Sequence, residues 1–115
     1  MSEKSLLGDL VAKTIVDLVK LKSTDELVIG CAEQTAENFK LALLDDDREF
    51  DTSKVDDVLA VKIAKEYLTE QLANTLIAHK KYISELPLLQ KILRRRLLQE
   101  TNDALSKFAH VVRSL

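Results

Sequence analysis

Turn-forming residues are scarce in this 115-residue sequence, which has two glycines and one proline. Sheets need such residues at regular intervals between strands, so their scarcity argues against a β fold. Aromatic residues make up only 4% and tryptophan is absent, so any core must be aliphatic. Cys31 is the single cysteine. With no intrachain disulfide available, a reducing cytoplasm is the expected compartment. No apolar run reaches membrane-spanning length, and Met1 to Ser5 lack the basic region and apolar core of a signal peptide. No membrane partner is expected.

Catalytic and metal-binding patterns are also missing. Di-iron bundles need Glu-x-x-His on two helices, and neither His79 nor His110 has a glutamate three residues earlier. Two scattered histidines and one cysteine are too few for a structural zinc site. No glycine-rich phosphate loop, nucleophile elbow or His-Glu-x-x-His occurs. Glu33/Glu37 and Glu66/Glu70 have the one-turn spacing of ordinary helix surfaces. The expectation is a non-enzyme with no cofactor and no metal.

The residues that are abundant, Leu, Ala, Lys, Glu and Gln, all favour helices. Their periodicity predicts an all-α, four-helix bundle-like single domain over residues 1–115. Its helices fall near 5–21, 24–44, 53–84 and 87–114, with a long third helix and an amphipathic fourth helix linked to it through Pro87. In the first, Leu7, Val11, Ile15, Leu18 and Val19 share a face, and Leu6, Leu10 and Leu21 fall outside it. Ser23 to Glu26 read as a capping box opening the second helix, which turns Cys31 inward as a small hydrophobe.

Asp45 to Asp51 form an acidic linker, since consecutive like charges and aspartates that compete for backbone hydrogen bonds end a helix. Asp45, Asp47, Glu49, Ser53 and Asp56 also fall at ligand positions of an EF-hand-length loop. Phe50 stands where the turn requires glycine, and the twelfth position is the shorter aspartate. A solvated linker is therefore preferred to calcium binding.

The third helix carries an apolar stripe that rotates. Ala60, Ala64, Leu68, Leu72 and Leu76 step by four residues, so the stripe drifts by about 40° at each step. A kink, a central helix wrapped by neighbours, or a far half docked on a second chain would each accommodate it. The third option makes Leu72, Leu76 and Ile83 interface residues, with Leu6 and Leu10 as further apolar surplus.

The last quarter bears the longest stripe: Leu89, Leu93, Leu97, Leu105, Phe108, Val112 and Leu115. Lys91, Arg95, Gln99, Asn102, Ser106 and Arg113 lie opposite. Charge is divided along the chain. From His79 onward eight basic residues face three acidic ones, a net of +5, whereas residues 1–78 carry nine and sixteen, a net of −7. Arg96 is expected to pair with Glu100 one turn on. Lys80, Lys81, Lys91, Arg94 and Arg95 remain as a candidate patch for an anion or an acidic partner. The functional expectation is a small helical protein–protein interaction module, homodimeric, acting as an adaptor, chaperone-like or regulatory subunit. A nucleic-acid-associated regulator using the Lys80–Arg96 region is the alternative. It is not favoured, because stacking aromatics, a recognisable motif and a basic total are all lacking.

Overall fold

Leu7, Val11, Ile15 and Val19 return every four residues and generate α1, Glu3–Lys22, whose stripe is fully or almost fully buried. The computed structural model describes residues 3–46 and 56–115, which form five α-helices and no strand. Helix α2, Glu26–Asp45, returns antiparallel to α1 and buries Val28, Ala32, Thr35, Ala36 and Leu43. The two approach closely at Gly8, where a side-chain carbon would already touch Leu43 at 3.5 Å. Asp9 pairs across this hairpin with Lys40 at 3.4 Å.

Helix α2 starts later than a Ser23 cap would place it. Asp25 is the N-cap, its Oδ1 accepting from the Leu27 amide at 2.9 Å, while Ser23 Oγ accepts from the Asp25 amide. A carboxylate meets the positive helix end more favourably than a hydroxyl does.

Helix α3, Asp57–Glu85, is uninterrupted and begins about four residues later than its sequence pattern suggests, because Asp56 caps it by accepting from the Leu59 amide. Ala60, Ala64, Leu68 and Leu72 form its buried line. The rotation has a physical cause: α3 changes neighbours along its length. Its first half lies on α1 and α2, with Phe39 and Tyr67 edge-to-face at 5.1 Å. Its last turns run beside α5, where His79 hydrogen-bonds Asn102 at 2.6 Å. Leu72 is buried in the core of this chain, and Leu76 and Leu10 pack partly buried against the same core, while Ile77 on the far half of α3 stays 67% exposed.

At 29 residues α3 is about 43 Å long, against about 30 Å for the 20-residue α1 and α2. It therefore overhangs the hairpin and gives the molecule its 54 Å long axis. Leu86 and Pro87 close it with extended backbone, as the residue before a proline must. The expected fourth helix is two helices: α4, Leu88–Leu93, and α5, Arg95–Arg113. The break falls at Arg94, whose Nη1 donates to Tyr82 Oη on α3 at 2.8 Å. No glycine or proline marks that position, and the tertiary bond to Tyr82 accompanies the local distortion. The C-terminal half of α5 buries Leu105, Phe108, Ala109, Val111 and Val112.

Candidate interaction surface

The stripe of the last quarter is divided by the fold. Leu105, Phe108 and Val112 are buried, but Leu97 and the α4 residues Leu89 and Leu93 are not. Lys107 on α5 reaches Asp25 at the start of α2, which fixes where the hairpin ends along α5. Leu97 lies ten residues earlier, about 15 Å up the helix, beyond the hairpin that covers the lower stripe.

Helix α4 is turned inside out. Leu88 is 74% exposed, Leu93 70%, Leu89 65% and Ile92 62%, and no α4 residue is buried. Its polar residues Gln90 and Lys91 are the least exposed of the six. Lys91 lies with Arg95, Gln99 and Asn102 along a cleft that also holds Ile83 and Leu98. An amphipathic helix normally hides its apolar stripe, and water-facing leucines grouped on one short helix form the kind of patch that marks an interaction site.

Cations surround this patch. Lys80, Lys81, Arg94 and Arg95 are exposed, and Lys91 is half-buried. Arg96 pairs with Glu100 at 3.3 Å, as the spacing anticipates. Of the residues expected at an interface, Ile83 is half-buried toward the α4–α5 side and Leu6, from the first helix, is exposed at the opposite end of the molecule. Leu21, Leu27 and Ile77 are exposed singly elsewhere, whereas Leu88, Leu89, Ile92, Leu93 and Leu97 form one exposed apolar group within ten residues of chain. Their repeat was legible in sequence, but nothing there said which part of it would stay uncovered.

Among the described residues, no group of three or more His, Cys, Asp or Glu side chains could hold a metal ion, and no helix is long and apolar enough to cross a membrane. Of the EF-hand-length loop, Asp45 belongs to α2 and Asp56 is engaged as the α3 cap, while Asp47, Glu49 and Ser53 lie outside the described residues. Cys31 is half-buried, and desolvation raises its thiol pKa, which keeps it protonated at neutral pH. Burial likewise raises Tyr67.

Asp25 links the acidic hairpin to the basic last helix. The Leu27 amide, and next the Lys107 ammonium, hold its carboxyl below the usual aspartate range. A depressed folded pKa means stabilisation that is complete above the unfolded value of about 3.9 and lost as pH falls through the folded value. Asp25→Asn should therefore melt below the wild type at neutral pH, with the gap closing below about pH 4. Thermal melts across that range check this, and a gap that persists unchanged in acid would contradict it.

No protein-family model, curated protein or solved structure matches the chain.

Proposed function

We propose that this protein is a non-catalytic helical protein–protein interaction module, an adaptor, chaperone-like or regulatory subunit that associates with another copy of itself. The observation that carries the reading is the inverted α4, whose leucines face solvent while Gln90 and Lys91 turn toward the chain. Leaving a large apolar side chain in water forgoes about 1.5–3 kcal/mol of burial, and five adjacent ones make a strong drive to bind. The cations beside them restrict which surfaces can approach.

Light scattering at micromolar concentration tests this. The wild type should exceed the monomer mass, and Leu89→Glu combined with Leu93→Glu should return it to monomer with its helical spectrum kept and the melting temperature of the diluted, dissociated wild type. Surface positions of this kind tolerate substitution within about 0.5 kcal/mol. A wild type that is strictly monomeric at every concentration sinks the self-association reading.

The alternative is a nucleic-acid-associated regulator, favoured by the exposure of Lys80, Lys81, Arg94 and Arg95 at one end. Such binding would be to phosphates and would fall steeply with salt. Absence of binding to duplex DNA and RNA at low salt rejects it.

A further inference from the structure

The end of the molecule opposite α4 is built from the start of α1, the end of α2 and the start of α3. It holds an apolar cleft of about 310 Å³ lined by Leu7, Phe39, Ala42, Leu43, Ile63 and Tyr67, with Asp46 at its margin. Exposed apolar side chains stand nearby: Leu6, Leu41 and Leu44 are 54–60% exposed, and Val58 is 78%. Asp45, Asp56 and Asp57 are exposed at the same end, whereas Lys40 is already paired with Asp9. One end of the rod is thus apolar and acidic, and the other, about 42 Å away along α3, is apolar and basic.

We propose that the α4 tip of one copy docks on the acidic cleft end of a second copy. The proposal rests on the self-association reading above and names the surface that receives the tip. A tip-to-tip contact would set Lys80, Lys81, Arg94 and Arg95 against the same four residues, and like charges at close quarters oppose association. A tip-to-cleft contact joins apolar to apolar and cation to carboxylate. Two rods lying antiparallel make that contact twice, so a closed two-fold pair satisfies all four patches at once, which an open chain never does at its ends.

Exchanging the charges discriminates the arrangements. One variant carries Lys81→Glu and Arg95→Glu, which cancel the positive charge of its tip and leave the Arg94–Tyr82 bond in place. A second carries Asp45→Lys and Asp57→Lys, which cancel the negative charge of its cleft end. All four positions are exposed, and Asp56, which caps α3, is left untouched. Each variant alone should self-associate about tenfold more weakly than the wild type or worse. An equimolar mixture should form a 1:1 pair tighter than either variant alone, because the unaltered tip of one meets the unaltered cleft of the other, read by sedimentation equilibrium. The proposal is overturned if the Asp45→Lys, Asp57→Lys protein dimerises like the wild type, or if mixing restores nothing; the interaction reading survives both results. A wild type that never associates removes that reading instead. A parallel measurement needs no variant: wild-type association should weaken several-fold between about 50 and about 500 mM salt, and salt-independent association overturns the charge pairing.

Discussion

Replacing Phe108 by alanine should destabilise the protein by about 3–5 kcal/mol, a large share of the about 5–15 kcal/mol that holds a domain of this size together. Phe108 is 3% exposed and is the largest side chain that α5 places in the shared core. Truncation removes its burial and leaves a cavity that four helices can only partly close. The effect should also spread outward. Helix α4 buries nothing of its own and packs chiefly on α5, so loosening α5 frees α4 as well. Urea denaturation gives the magnitude, and amide exchange gives the distribution. Protection across residues 88–113 should fall further than protection across α1. A loss under about 1 kcal/mol would show that α5 contributes little to the core.

Leu68→Ala should cost about 2–5 kcal/mol, by the same cavity mechanism and at any protein concentration. Leu68 is fully buried, midway along the line from Ala60 to Leu72 where α3 passes across α1. The urea midpoint should shift equally at low and high protein concentration with an unchanged slope, since a residue inside one chain is not linked to association by mass action. Leu93→Ala supplies the contrast. Its side chain is 70% exposed, so stability at dilutions where the wild type is monomeric should stay within about 0.5 kcal/mol while association weakens. A Leu68→Ala shift, taken relative to the wild type, that changes with protein concentration would place α3 at an interface after all.

These two substitutions separate what was legible in the residues from what was not. The α1 face of Leu7, Val11, Ile15, Leu18 and Val19 could be read directly, because Leu18 follows Ile15 by three residues and holds the stripe on one side of the helix, with Asp9, Lys13, Asp17 and Lys20 opposite. Pro87 announced the turn after α3 through the dihedral it imposes on Leu86. The Arg96–Glu100 pair followed from one-turn spacing alone. The α3 stripe was different. Its rotation was visible, yet a rotating stripe is equally served by one chain or by two, and only the packing shows which of its residues this chain buries and that α5 lies beside its last turns. That moved Leu72 into the core and reduced Leu76 and Ile83 to partly covered residues. The Asp25 cap was missed because Ser23 offers an equally good local pattern, and Lys107, 82 residues away, favours the carboxylate.

The interaction surface shows the same division. Composition and periodicity determined an all-helical chain, an aliphatic core, a long third helix and opposite charge in the two parts of the sequence. These depend on local dihedrals and on which side chains water rejects, and both are properties of neighbouring residues. Which leucines remain in water is not such a property. Leu89, Leu93 and Leu97 continue the repeat that buries Leu105, Phe108 and Val112, and no local difference sets them apart. The tertiary structure decided it by relative length. An α1–α2 hairpin of about 30 Å cannot cover a third helix of about 43 Å together with the helices that return along it, so the apolar stripe outruns its cover at α4.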